Sequence, residues 1–480
     1  MRKLTLFLIL CCLIHVAGRA QNLKLASIFT DNMVLQQQKQ VAVWGINKPG
    51  EKVTVITSWD NRKQEAVTDK KGNWKMVVDT PEAGFTPYEI AILSGSQRTV
   101  LKNVLIGEVW IASGQSNMSM PMKGYTGQPV EGATKAILES RGKSIRFINI
   151  PALGAYRPVD TFDAQWQIAS ASTVGECTAV GWFFADLLYI NLDVPVGIIN
   201  ASVGGSNIEA WMTPEACTMV DGIDVPAPCD VKDEWLNNMP TVLYNGMLHP
   251  VWGYGIKGVI WYQGESNIFD VPRYVPSMVA LVKEWRRLWG CGDFPFYFAQ
   301  IAPYDYKEWN FFKPRWPEIS AYQREAQGKC VSFIPNSAMA VLMDVGEEFL
   351  IHPRRKQEVG FRLGLLALQK TYGMTGFEAE SPVYEKMEIK GDKAIIHFSN
   401  LYNGITSYGK KLELFDMAGE NRVFHKAEAY IDSANSTVVV SCKYIQEPKA
   451  VRYAFKDYVQ GELFGVGGLP VSSFRTDDWE

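Results

Sequence analysis

The apolar positions along the chain change their period twice. Between residues 21 and 102 they fall into short runs, several strictly alternating: QVAVWG (40–45), KVTVITSW (52–59), WKMVVD (74–79) and YEIAIL (88–93). Alternation puts every second side chain on one sheet face, and the segments NKPGE and DKKGN between the runs are turn chemistry. The pattern predicts a small N-terminal β-sandwich over 21–102. From 103 to 375, apolar runs alternate with helical spacing. VLIGEVWIA (104–112), VPVGIIN (194–200), IKGVIW (256–261), FPFYFAQ (294–300) and MAVLMD (339–344) read as buried strands. Val180, Phe183, Phe184, Leu187 and Leu188 mark one helix. Met278, Leu281, Val282 and Trp285 mark a second, and Val359, Leu363, Leu366 and Ala367 a third. Repeated β-α alternation predicts an α/β fold with a largely parallel sheet covered on both faces. From 376 to 480 strands return, in KMEIKGDKAIIHF, KLELFDMAGE, STVVVSC and AVRYAFK, and predict a C-terminal β domain.

Composition adds two constraints. With 47% apolar and 21% charged residues the chain is ordinary globular protein, and 480 residues suit several domains. The net charge of −3, with acids and bases well mixed, supplies no basic groove for nucleic acid. Its start is more specific. Arg2 and Lys3 precede an apolar run from Leu4 to Val16, which gives way to Ala17, Gly18, Arg19 and Ala20. This reads as a secretory signal peptide over 1–20, too short to span a bilayer comfortably, and predicts a secreted or periplasmic protein. No later stretch is apolar enough for a membrane span. An exported chain can oxidise its cysteines, and Cys217 and Cys229, flanking a loop rich in Pro, Gly and Asp, are the expected pair. No CxxC occurs, and none of the six cysteines past the signal has a histidine nearby, so no metal site is expected.

Chemistry is sought where the predicted strands end, because open α/β sheets bind ligands at their carboxyl edges. The first strand is followed by Ser113, Gly114, Gln115, Ser116, Asn117 and Met118. Ser116 stands between a glycine turn and a helix start, either as an exposed nucleophile or as a helix cap. Gly204 and Gly205 follow the second strand, where a backbone N–H can face a substrate oxygen as half of an oxyanion hole. Gln263, Glu265 and Asn267 follow the third. A polar cluster beside a buried strand is costly unless it works or is fully hydrogen-bonded, and Gln263 could donate to an oxyanion. After the last strand come Asp344 and His352. The other histidines past the signal are His249, His397 and His425, and the last two fall in the C-terminal β domain. The base for Ser116 is therefore His352 or His249, and a loop after a strand and before a helix favours His352.

Taken together, GEVWIASGQSNMSMPM (107–122), GIINASVGGSNIEAWM (197–212), IKGVIWYQGESN (256–267) and DVGEEFLIHPRRKQEVGFRL (344–363) resemble the sialate O-acetylesterase family of SGNH-type hydrolases. DNMVLQQ (31–37) and GLPVSSFRTDDW (468–479) look like its bacterial members. The resemblance implies a flavodoxin-like three-layer core between β accessory domains, and a Ser-His mechanism with neither metal nor organic cofactor. It implies Ser116 as nucleophile, the N–H groups of Ser116 and of Gly204 or Gly205 with the Gln263 side chain as oxyanion hole, and His352 as base. Many such enzymes carry an acid three residues before the histidine, and here Phe349 stands there. Asp344 is then the first candidate to orient His352, Glu265 the second, and a backbone carbonyl the third. Asn117 is a possible support. The implied substrate is an O-acetylated sugar, in the first place a sialic acid, whose carboxylate calls for an arginine. Arg324, Arg354 and Arg355 lie in suitable segments, each also readable as a surface or capping charge. The rivals are an esterase for acetylated polysaccharide such as xylan, and a carbohydrate-binding protein with an inactive hydrolase core.

Overall fold

In the computed structural model the described residues are 22–307 and 316–479. The signal segment expected over 1–20 lies outside them. The longest strand, β1 (Gln97–Gly114), begins with exposed positions and is buried at every residue from Val104 onward. Its first part pairs antiparallel with Gly84–Ser94 and, at Leu105–Gly107, parallel with Val34–Gln36. From Glu108 it runs parallel between β3 (Val196–Ser202) and β4 (Gly258–Tyr262). One strand thus belongs both to the N-terminal β region and to the central sheet. β2 (Ile145–Asn149), β5 (Phe296–Ala299) and β6 (Ser337–Ala340) complete the central order β2-β3-β1-β4-β5-β6, all parallel.

Successive strand residues face opposite ways, and two separate cores result. Trp110, Ile198, Ile260 and Tyr297 pack against α2 (Ala179–Leu192) and α5 (Lys356–Leu366). Val109, Ile199, Trp261 and Phe296 pack against α3 (Val271–Trp289) and α4 (Ile319–Phe333). The glycines of α5 let it approach α2 closely, since a Cβ on Gly360 would stand 2.6 Å from that of Phe183. Trp110 lies between Phe184 and Tyr297, at ring centroid distances of 5.0 and 6.0 Å. Truncating it to alanine would cost about 3–5 kcal/mol.

Two central elements, β2 and α4, escape the sequence pattern. β2 carries Arg146 at its second position, which breaks the apolar run. One terminal nitrogen of the guanidinium donates to the carbonyls of Asn32 and Asn103 at 2.9 and 2.8 Å. The last strand also ends earlier than its apolar run suggests, at Ala340.

In the C-terminal region Val383–Lys390 and Lys393–Ser399 form a hairpin, extended by Thr437–Ser441 and Glu428–Asp432. A second sheet contains Phe415–Ala418, Ala450–Tyr453 and Phe474–Arg475. Ile396, Phe415, Val438, Tyr453 and Phe474 share one core. The expected Cys217–Cys229 disulfide is absent. Cys217 ends a short helix with its side chain in the core, Cys229 sits on a partly exposed loop, and all six described cysteines are free. Among the described residues no helix is long and apolar enough to cross a membrane.

Candidate active site

The parallel register sets the site. Ser202, Gly114, Tyr262, Ala299 and Ala340 lie side by side across β3, β1, β4, β5 and β6. The loops leaving this row open on one carboxyl edge. Ser116, Gly204 and Gly264 each lie two residues beyond it.

Position 114 requires glycine: φ is 132°, and a Cβ would stand 2.1 Å from the Tyr262 carbonyl oxygen. The chain turns there into a single helical turn, α1 (Ser116–Ser119). Gln115 occupies the cap position, and its side-chain oxygen accepts the N–H groups of Gly264 and Ser266 at 3.1 and 3.2 Å. Ser116 is therefore not a capping serine. Among the described residues its hydroxyl has no hydrogen-bond partner. Opposite it, a Cβ on Gly204 would lie 3.6 Å from the Ser116 Cβ. Asn237 fixes this glycine by donating to its carbonyl at 2.8 Å.

Asn117 ties the serine to two other loops. Its amide nitrogen donates to Glu265 Oε1 at 2.5 Å and to the Ile351 carbonyl at 3.1 Å, while its oxygen accepts from the Lys356 ammonium. Lys356 is buried at the start of α5, with Nζ 5.8 Å from the Tyr262 ring centre. Burial pulls its pKa down to about 7, against the opposing charges of Glu265 and Glu347. Burial also holds the Glu265 carboxyl above its ordinary range, and among the described residues Glu265 Oε2 has no hydrogen-bond partner.

A second link runs through Tyr125. Its hydroxyl donates to the Ser116 carbonyl at 3.1 Å, and its ring meets that of His352 edge-on at 5.3 Å. His352 Nδ1 lies 2.5 Å from Gln128 Oε1. An amide oxygen only accepts, so Nδ1 carries the proton and Nε2 keeps its lone pair. Burial, and then the Lys356 charge, lower the imidazole pKa to about 4. The ring is neutral at neutral pH and free to take a proton.

Two expected residues make other contacts here. Both Asp344 oxygens pair with Arg362 at 2.7 Å, and the early end of β6 leaves Asp344 in the turn beyond the strand. Gln263 spends its amide N–H groups on protein acceptors. It is fully buried, and its amide donates to the Ser206 carbonyl at 3.1 Å and to Asn267 Oδ1 at 2.6 Å, bracing the second loop from behind. Glu265 binds Asn117 instead of the imidazole. His249 is held by the Val159 carbonyl and Asp160, at 3.2 and 3.7 Å. Tyr125, Gln128, Asn237 and Lys356 were not anticipated. Gln128 sits in an aperiodic turn, GYTGQP, which carries no signal. Lys356 does carry one: it shares the helical face of Val359 and Leu363, where a cation has to be buried.

A cleft of about 380 Å³ beside the site is lined by Asn207, Asn238, Ser266, Phe269 and Arg273. A larger cavity, about 580 Å³, lies by Gly290, Asp293 and Pro335. It adjoins the amino ends of β5 and β6, away from every site loop, and the chemistry on the opposite edge outweighs its size. Among the described residues no group of three His, Cys, Asp or Glu could hold a metal ion.

Residues 106–344 match the family described as carbohydrate esterase, sialic acid-specific acetylesterase. The sialate O-acetylesterase of Homo sapiens is 30% identical over 514 aligned positions, covering 95% of this chain and 93% of that protein. The chain belongs to the sialate O-acetylesterase family. The Pongo abelii member is also 30% identical, over 82% of this chain and 80% of its own. The crystal structure of a carbohydrate acetylesterase from Xanthomonas citri superposes with a TM-score of 0.84 at 32% identity, covering 95% of this chain and 100% of that one. As a member of the sialate O-acetylesterase family the chain is a carboxylic ester hydrolase, and the reading as an inactive binding protein falls away.

Proposed function

We propose that this enzyme removes O-acetyl groups from a sugar, in the first place a sialic acid, with Ser116 as nucleophile and His352 as general base. The observation behind this is one constellation: a serine hydroxyl beside Gly204 at the sheet edge, linked through Tyr125 to an imidazole, with neither that hydroxyl nor Nε2 hydrogen-bonded among the described residues. In this reading Nε2 takes the hydroxyl proton as Oγ attacks the acetyl carbonyl carbon. The N–H groups of Ser116 and Gly204 receive the oxyanion, with Gly205 the neighbouring alternative. The C–O bond to the sugar breaks, and the leaving oxygen takes the proton from Nε2. Water, deprotonated by Nε2, then releases acetate from Oγ. Gln128 sets the tautomer, a task often given to a carboxylate. The core is read as an SGNH-type three-layer domain over 103–375, between β-sandwich units at 21–102 and 376–480. Residues 1–20 are read as the signal of a secreted or periplasmic protein.

The family and its named relatives favour sialic acid. A second reading, a neutral acetylated polysaccharide such as xylan, is favoured by the arginines. Arg324 is buried on the Lys456 carbonyl, Arg354 pairs with Glu131 and Glu347, and Arg355 donates to the Asp344 carbonyl. Each of the three already has a protein partner. Acetate release from O-acetylated sialic acid and from acetylated xylan, with His352→Ala as control, decides between them. Release from sialic acid alone, lost in the variant, supports the first reading. Release mainly from xylan keeps the mechanism and replaces the substrate. Release that persists in His352→Ala removes the base.

A further inference from the structure

Trp235, at 81%, is the most exposed large apolar side chain among the described residues. Next is Phe349 at 79%, three residues before His352, so the greatest apolar exposure falls on loops around the site. The Trp235 loop is fastened at several points. Lys232–Asp233 pairs with Gly154–Ala155, and Asp233 Oδ1 accepts the Trp235 N–H at 2.8 Å. Asn237 donates to the Gly204 carbonyl at 2.8 Å, and Asn238 Oδ1 accepts the Asn207 N–H at 3.2 Å. Trp235 lies two residues from Asn237, hence within about 7 Å of it along the chain. Asn237 holds the glycine that abuts Ser116, and Asn238 lines the cleft beside the site. A fixed loop thus exposes an indole two residues from the asparagine that holds Gly204 against Ser116.

We propose that Trp235 is a stacking platform for the sugar ring next to the acetylated one, so that the preferred substrate is an acetylated oligosaccharide and not a free acetylated monosaccharide. This rests on the esterase reading above. The carbon-bound hydrogens on one face of a pyranose are apolar and slightly positive, which suits the negative π face of indole, while the hydroxyls at the ring edge stay in water. Asp233 and Glu234, both exposed beside the tryptophan, disfavour an anionic ring there. The platform therefore takes a neutral ring and leaves the acetylated one over Ser116.

The test compares Trp235→Ala with wild type on an O-acetylated sialyl trisaccharide and acetylated xylotriose. The matching acetylated monosaccharides and 4-nitrophenyl acetate serve as small substrates. On the trisaccharide that the wild type turns over, kcat/KM falls about 5- to 10-fold, mainly through KM, and Trp235→Tyr restores most of it. The small esters change by less than about twofold, since Trp235 touches none of their atoms. Equal loss on every substrate, or no loss on the trisaccharide, overturns the platform. Failure of the esterase reading reads out separately: Ser116→Ala would then retain turnover of 4-nitrophenyl acetate, whatever Trp235→Ala does.

Discussion

Arg324 in α4 and Lys356 in α5 are both buried cations, yet the networks around them end differently. The Arg324 guanidinium meets the hydroxyls of Ser320 and Ser473 and the carbonyls of Lys456 and Asp457, and the Asp457 carboxylate takes the Ser320 N–H and hydroxyl at 2.8 Å. Donors and acceptors close on one another, and α4 is joined to the segment 456–473. The Lys356 network also joins elements, through Asn117 and Glu265, but it stops short at the sheet edge. There, among the described residues, Glu265 Oε2, the Ser116 hydroxyl and His352 Nε2 have no hydrogen-bond partner. A closed network contributes connection. An incomplete one leaves groups that a substrate can complete.

The largest expected effect belongs to the open network. Ser116→Ala should lower kcat by about 10⁴-fold or more with the urea midpoint of unfolding unchanged. A residual rate above a tenth of wild type would break the distinction, as would loss of folding. Arg324→Met should do the reverse. It strands buried acceptors, at about 2–4 kcal/mol read from the urea midpoint, while the folded fraction keeps its kcat. A parallel loss of kcat would show that the two networks are coupled.

Gln128→Ala comes next, with kcat lower by about 10- to 100-fold because the imidazole loses its orienting acceptor. Asp344→Asn, in contrast, should weaken the Arg362 pair and lower stability by about 1–3 kcal/mol at nearly wild-type kcat. If Asp344→Asn instead damaged kcat more than Gln128→Ala, the assignment of the orienting group would be reversed.

The smallest effect sharpens the link between Lys356 and the base. A base must be deprotonated, so kcat/KM should fall as the pH drops through about 4, and not through the ordinary imidazole value of 6.5. Lys356→Met removes a like charge and should move this limb upward, with most of the shift kept because burial is its main cause. A limb that stays put or moves downward would exclude the lysine as a neighbour felt by His352.

Legibility in the sequence followed local regularity. GEVWIA, GIIN and GVIW announce buried strands because both their faces are apolar, and the residues just past their ends supply Ser116 and Gly204. Residue type alone does not give the direction of a side chain. Gln263 stands at the right strand end, but its side chain turns inward to Ser206. Asp344 has the right chemistry, but both its oxygens pair with Arg362 on the next helix. Gln128 was not legible, since it reaches His352 from 224 residues away in the chain and no period marks it. The Trp235 loop left no sign either, because its exposure depends on latches to Gly204 and Asn207 that arise only in the fold.

The most direct test of the central claim is to treat the enzyme with a fluorophosphonate ester and map the adduct by peptide mass spectrometry. A Ser116 nucleophile with a His352 base gives one adduct, on Ser116, formed far more slowly in His352→Ala and absent in Ser116→Ala. An adduct on another residue, or an active enzyme that takes no label, would contradict it.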